Sequence, residues 1–374
     1  MIFFVVREDH SFGVQYFLED RADAKRDAFR ILGVDDLLHD RRADPGTYVF
    51  AVDDMLPAER ALLGSVWDQL RGHDGRVRLL NHPLHTLGRF ALLRALHASG
   101  RSRVQVVRAT DRMESLRFPV FLREETRHSG NLSALLNSPD EVRRELRRLT
   151  LRGFHRRELL AVEFCDTADA RGIYRKYSAY VVGDRVIPRC LEFGRDWMVK
   201  HDPGTYDADR IAEEEEYVRT NPHEAQLRES FAAASVQYGR IDYALRDGQL
   251  QVWEINLNPT IGRHRPHELD SADVKRVREL RRGTNDIFYS RFLDAWQAVD
   301  TDPARPDPIA FEVERHLLDA VYAERAEARR GERHKQAVEW IMSRRAISSA
   351  WRIVKPALRR GKALFSRGWA AVQP

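Results

Sequence analysis

The sequence predicts a chain of mixed α/β and α+β class, with an N-terminal open α/β layer, a larger part built on antiparallel hairpins, and a helical C-terminal extension. Three observations predict it. Over the first ~110 residues short apolar runs alternate with stretches of helical spacing, the pattern of parallel strands joined by helices. Two pairs of strand-like runs are then joined by the tight turns Gly183-Asp184 and Asp247-Gly248. Finally, Thr301 to Pro308 carries three prolines in eight residues and reads as a linker, beyond which the spacing is helical. A length of 374 residues suits two or three domains, and 43% hydrophobic residues suffice for a buried core.

In chain order, Phe3 to Val6, Tyr48 to Val52, Val77 to Leu80 and Val104 to Val107 are expected as strands. Ala58 to Leu70 and Gly88 to Ala98 have helical spacing, the second with Leu92, Leu93 and Leu96 on one face. Phe118 to Arg123 is a further strand, followed by the polar loop Glu124 to Asn131. Ser138-Pro-Asp-Glu141 caps a helix running to about Leu149, and Leu159 to Phe164 returns as a strand. The hairpin Tyr174–Val182/Arg185–Ile187 comes next. A helix is expected over Arg219 to Tyr238, and Arg240 to Asn256 forms the second hairpin.

Composition excludes several function classes. The two cysteines, Cys165 and Cys190, allow neither a disulfide framework nor a cysteine zinc site, which points to a reducing, cytoplasmic setting. No apolar run approaches the ~20 residues that cross a bilayer. The opening Met1 to Val6 lacks a basic leader and reads as a strand. The net charge of +5 is unevenly spread. Arg325 to Pro374 holds thirteen Lys/Arg against three Asp/Glu, or +10, so Met1 to Glu324 carries +5 less +10, or −5. A mildly acidic body argues against nucleic acid as a partner.

The chemistry concentrates in Arg240-Ile-Asp242 and Trp253-Glu254-Ile-Asn256-Leu-Asn258-Pro259. Strand alternation places Glu254, Asn256 and Asn258 on one face and Trp253, Ile255 and Leu257 on the other. The turn at Asp247-Gly248 brings Asp242 beside them. Two carboxylates and an amide oxygen make an all-oxygen set suited to Mg²⁺ or Mn²⁺. The alternative is a solvent-facing hairpin with incidental acids.

These residues resemble the metal-binding hairpin of the ATP-grasp superfamily, to which D-alanine–D-alanine ligase and the ribosomal-protein glutamate ligases belong. The resemblance covers roughly Asn81 to Gly262 and implies an ATP-grasp domain over 113–300, a preceding α/β domain over 1–112, and an extension over 301–374. It implies ATP as cofactor, with Asp242, Glu254 and Asn256 holding the Mg²⁺ (or Mn²⁺). Arg123 stands where the family has a phosphate-binding lysine and keeps the charge. Lys200, in Trp197-Met-Val-Lys200, resembles the second such lysine. Glu163-Phe164-Cys165-Asp166 resembles the hinge that reads adenine through backbone and Glu side chain. Lys176 is expected to face the nucleotide, or else to be an exposed strand lysine.

What the resemblance implies chemically is attack by a substrate carboxylate on the γ-phosphorus and displacement of the acylphosphate by an amine or other nucleophile. Arg189, Arg195, Arg263 and His264 flank the region as candidates to hold an anionic acceptor, with Arg263 taken as catalytic beside Arg123 and Lys200. A solvated surface role is the competing reading for each. A hydroxyl-phosphorylating kinase and a nucleotide-binding scaffold without turnover are the alternatives. His10 and His82 sit at strand ends where loops of such sheets line ligands. Trp340 to Pro374 has eight Lys/Arg, no acid, and Ile347, Trp351, Val354 and Leu358 at helical spacing. It fits either an interfacial helix at anionic lipid or a helix docked on the acidic body.

Overall fold

The computed structural model describes residues 1–20, 26–73, 75–126, 130–200, 206–261, 271–301, 307–338 and 340. The first layer is a parallel sheet of β1 (Ile2–Val6), β2 (Phe29–Gly33), β4 (Gly46–Phe50) and β5 (Val77–Leu80), in the order β2-β1-β4-β5. β1 and β4 lie inside and are buried on both faces, as the uninterrupted Ile2-Phe-Phe-Val-Val6 requires. Helices α1 (Phe12–Asp20), α2 (Val34–Asp40) and α3 (Pro57–Arg71) connect them, and β3 (Arg42–Ala43) stands apart from the sheet. The fourth strand of this layer is β2 rather than Val104 to Val107. That segment is β6 (Val106–Arg108), antiparallel to a strand of the next sheet. Its buried Val104 and Val106 pack with Phe121, Leu160 and Val162, so their apolar faces serve a different core.

After α4 (Arg89–Ala98) the chain builds a small lobe. Here β6, β7 (Val120–Glu124) and β8 (Leu159–Glu163) form an antiparallel sheet in the order β6-β8-β7. The sheet is backed by α5 (Pro139–Leu151) through Val142, Leu146 and Leu149. The Ser138 hydroxyl accepts the Glu141 N–H, the cap that the sequence signals. Alternation along β7 sends Val120 and Leu122 into that core and leaves Phe121 and Arg123 on the opposite face.

The large lobe is an antiparallel sheet of β9 (Tyr174–Val182), β10 (Arg185–Gly194), β11 (Tyr238–Arg246) and β12 (Gln249–Asn256), ordered β10-β9-β11-β12. The expected helix Arg219 to Tyr238 is two helices, α6 (Ala208–Thr220) and α7 (Glu224–Ala233). Asn221 breaks them in the left-handed region at φ 51°, its N–H returned to the Tyr217 carbonyl, and Pro222 follows. One face of the large sheet packs on α4, α6, α7 and α8 (Ala272–Leu280). The other face is divided. At one end Tyr180, Val182 and Tyr238 join Phe4 and the aromatic stripe Phe288, Phe292 and Trp296 of α9 (Arg282–Val299), uniting the lobe with the first layer. At the other end the same face carries Lys176 and Asp242 towards the small lobe.

Residues beyond the proline-rich segment are not helical throughout. β13 (Ile309–Ala310) first pairs with β3. A helix over 315–338, α10, then packs Leu317, Leu318 and Val321 into the core of the first layer. Its Arg325 reaches Glu59 and Asp35, and at its far end Lys335 meets Glu124 at 3.1 Å, with its ammonium 3.9 Å from the Phe154 ring centroid. The extension therefore ties the first layer to the small lobe. Residues 302–306 of the expected linker, and 341–374 of the basic tail, lie outside the described residues. No helix among the described residues is long and apolar enough to cross a membrane.

Candidate active site

A cavity of about 380 Å³ opens between the small sheet and the divided face of the large sheet. Phe121, Phe164 and Trp197 line it on one side, with ring centroids of Phe121 and Phe164 at 5.0 and 5.7 Å from Trp197. Arg123, Lys176, Lys200, Asp242 and Glu254 also line it. An aromatic wall beside a ring of charge suits a ligand with a flat base and an anionic tail.

The carboxylates are placed by strand register. Asp242 of β11 lies directly opposite Glu254 of β12, and Arg240 opposite Asn256. Asp247 and Gly248 both take left-handed backbone, φ 52° and 76°, and close the hairpin. Between Asp242/Glu254 and Tyr243/Val252 the register slips by one residue, and Trp253 is the extra one. Leu250 and Val252 face the core before the bulge, Ile255 and Leu257 after it. Trp253 and Glu254 consequently both open on the cavity, which corrects the expected placement of Trp253 on the far face.

Cations surround the two acids. Glu254 Oε2 accepts from Arg123 Nη2 at 2.8 Å and Arg89 Nη2 at 2.5 Å. Arg89, the first residue of α4, also donates to the Glu124 and Glu125 carbonyls at 2.9 and 2.7 Å, so it bridges the lobes. Arg240 forks onto Asp242 at 2.9 and 3.2 Å. Lys176 meets Glu192 at 2.6 Å. Burial, with Arg89 nearby, presses the Arg123 guanidinium down to about 10. Burial also raises the Asp242 carboxyl against the pull of Arg240, and the neighbouring Glu254 adds to the rise. Lys176 is raised: burial opposes its charge, but Glu192 and Asp242 more than offset that.

Several expected residues are placed elsewhere. The Glu163 carboxylate is 2% exposed and accepts from the Arg117 backbone at 2.6 Å, the Arg117 guanidinium at 2.8 Å and the Gln105 N–H at 3.1 Å. It braces the hinge from behind, while Phe164 lines the cavity. Asp166 is exposed and turns its carboxylate onto the Ala168 N–H. Asn256 Oδ1 accepts the Asn258 N–H at 3.0 Å at the end of β12. Arg189 is buried against the Phe288 ring and donates to Asn285, and Arg195 is exposed. His82 stacks on His85 with centroids 3.8 Å apart, and burial lowers its imidazole. The His10 carbonyl accepts from Asn258 Nδ2. Arg263, His264, and Arg127 and His128 of the polar loop lie outside the described residues. Burial pushes the Cys165 thiol up, which disfavours a nucleophilic role.

The site also uses residues that the sequence reading left unassigned. Arg240 stood within the motif, where its pairing with Asp242 two residues on was readable from strand alternation. Arg89 carried no signal beyond its place at a helix start.

Arg175, which also lines the cavity, spans Asp169 at 2.7 Å and Glu213 at 2.6 Å. Its guanidinium, with the Ile173 and Arg171 N–H groups, holds the Asp169 carboxyl down to about 2 from the ordinary 3.8. A depressed carboxyl stabilises the fold above its unfolded value and loses that contribution as pH falls. Unfolding midpoints of the wild type and Asp169→Asn are therefore expected to differ above pH ~4 and to converge as pH falls towards 2.

The donor set fits a hard divalent ion. Asp242 and Glu254 face one another and every donor is oxygen. Among the described residues no group of three His, Cys, Asp or Glu side chains is placed to hold a metal.

No family model and no curated protein matches the chain. Among solved structures it is similar to a D-alanine–D-alanine ligase from Bacillus anthracis, at 12% identity and a TM-score of 0.47, covering 80% of this chain and 97% of that one. It is also similar to carboxyaminoimidazole ribonucleotide synthase from Aspergillus clavatus complexed with ATP, at 13% identity and 0.44 over 68% and 69% of the two chains. A RimK domain ATP-grasp protein from Sphaerobacter thermophilus stands at 15% and 0.40 over 78% and 100%. Likenesses this distant leave function to be read from the site's own side chains.

Proposed function

We propose that the chain is an ATP-grasp enzyme, an ATP- and Mg²⁺-dependent ligase that activates a carboxylate as an acylphosphate for attack by an amine or other nucleophile. One observation carries the reading. A cavity of about 380 Å³ between two antiparallel sheets has aromatic rings along one wall and Asp242, Glu254, Arg123, Lys176 and Lys200 along others.

In this reading the base lies among Phe121, Phe164 and Trp197, and the phosphates extend towards the charged residues. Asp242, Glu254 and Asn256 would hold the divalent ion, which would supply charge neutralisation for the phosphates. Arg123, Arg89, Lys176 and Lys200 fix the tail in place. The acceptor carboxylate oxygen bonds to the γ-phosphorus as the β,γ-bridging bond breaks, and ADP leaves with that electron pair. The incoming nucleophile then bonds to the acyl carbon, inorganic phosphate departs, and the proton of the amine passes to solvent. Arg263 is the candidate to hold the anionic intermediate.

A second reading has its own observation. Glu254 is already met by two guanidinium groups and Asp242 by a third, an arrangement that balances charge without an ion and suits a nucleotide-binding scaffold. Incubating the full chain with ATP, Mg²⁺ and a panel of carboxylates, with hydroxylamine present, separates these. A ligase is expected to release ADP and yield a hydroxamate. A kinase leaves a stable phosphoester, and a scaffold binds nucleotide calorimetrically but releases no ADP. Absence of any Mg²⁺-dependent nucleotide binding overturns the proposal.

A further inference from the structure

The carboxyl ends of the strands in an open parallel sheet are where ligands ordinarily bind. In this protein the loops at that edge hold the hairpin that carries the acidic site. Asn81, just after β5 and in the left-handed region at φ 66°, accepts the Gln237 and Tyr238 N–H groups at 2.9 and 3.0 Å and donates to the Tyr238 carbonyl at 2.7 Å. It thereby grips the start of β11. Asp53, on the loop after β4, grips the end of β12. Its Oδ1 accepts the Leu257 N–H and its Oδ2 the Asn258 N–H, each at 2.9 Å.

We propose that Asp53 is a positioning residue that sets the side-chain amide of Asn256 from the N-terminal layer. The link is a shared proton. The Asn258 N–H is directed to Asp53 Oδ2 at 2.9 Å and to Asn256 Oδ1 at 3.0 Å together. A backbone N–H only donates, so the Asn256 atom facing it is the oxygen, and the amide cannot flip without losing that bond. One lone pair of Oδ1 is thus engaged by the chain, and under the proposed function the other would meet the cation. A carboxylate on two successive N–H groups makes charge-assisted bonds, stiffer than the water that would replace it. The positive-φ residue Asp54, at 58°, turns the loop immediately after Asp53. Groups that orient a metal ligand typically change metal affinity 10- to 100-fold when removed.

The inference rests on the reading of Asn256 as a ligand under the proposed function, and the test separates the two. The variants are Asp53→Ala and Asp53→Asn; in the second, one of the two N–H groups meets an NH₂ instead of an oxygen. On the full chain without nucleotide, amide exchange is expected to accelerate at Leu257 and Asn258 in both variants, with Ile241 to Ile255 unchanged. Calorimetric titration of ATP at increasing Mg²⁺ is expected to need about 10- to 100-fold more Mg²⁺ for half-maximal affinity, with unchanged weak binding in EDTA. A purely structural Asp53 would weaken both bindings alike. Unaltered exchange at Leu257 and Asn258, or unaltered Mg²⁺ dependence, overturns the proposal. A wild type with no Mg²⁺ dependence overturns the functional reading first, and the exchange result still reports on the lock. If Asp53→Ala fails to fold, Asp53→Asn supplies both readouts.

Discussion

Asp242→Asn is expected to lower ATP-dependent turnover by at least about 10²-fold, the scale of losing one preorganised electrostatic partner of a transition state. The side chain keeps its shape and one acceptor for Arg240, so the fold is expected to persist. What changes is the charge facing Glu254. Burial raises the native Asp242 carboxyl above 3.8, so the native state holds that proton more tightly than the unfolded chain. The ionised carboxylate therefore detracts from stability at neutral pH, and the deficit vanishes below pH ~4, where both states are protonated. Asn carries no such titration. Relative to the wild type, the variant's unfolding free energy is expected to rise as pH climbs out of the acid range. ATP with Mg²⁺ reverses the order, since it stabilises only the protein that binds it. Denaturant unfolding at several pH values, with and without ATP and Mg²⁺, measures both effects. Full turnover in Asp242→Asn would remove this carboxylate from the mechanism.

The hairpin was legible because local rules specify it. Asp and Gly tolerate the left-handed backbone that the turn demands, and the turn brings Asp242 close to Glu254; the bulge at Trp253 then sets the two directly opposite. The Ser138 cap of α5 was legible for the same reason. The bulge at Trp253 was not. One inserted residue resets alternation, and no residue type in Gln-Val-Trp-Glu announces it. Glu163 shows a second limit, because a strand-end carboxylate reads identically whether it faces a cleft or, as here, Arg117 behind it. The longest-range partners were least legible. Arg89 reaches Glu254 across 165 residues of chain and Asp53 reaches Leu257 across 204. Nothing in either local stretch reveals its partner. The edge strand β2 escaped notice because only Phe29 in it is fully buried, so its apolar signal is diluted.

Glu254→Ala is expected to destabilise the protein by about 3–5 kcal/mol, the usual result of removing one member of a buried ion pair. Glu254 Oε2 serves two guanidinium groups at once, those of Arg89 and Arg123, whose side chains are only 4% and 9% exposed. Without this shared carboxylate the two cations repel each other in a space poor in water, and Arg123, already pressed down by burial and by Arg89, loses its main compensating charge. The same reasoning predicts the cure. Two guanidinium groups that have lost a shared acceptor constitute an anion site, and pyrophosphate added with EDTA is expected to restore more stability to Glu254→Ala than it adds to the wild type. Arg89→Leu in the Glu254→Ala background is expected to recover part of the loss, because it relieves the repulsion. Glu254→Gln is expected to fall between, keeping an acceptor for one guanidinium while losing the charge. If Glu254→Ala unfolds at the wild-type denaturant concentration, the shared carboxylate does not hold the two lobes together. If pyrophosphate favours neither protein, Arg89 and Arg123 are structural struts and not the cations that meet a nucleotide's phosphates.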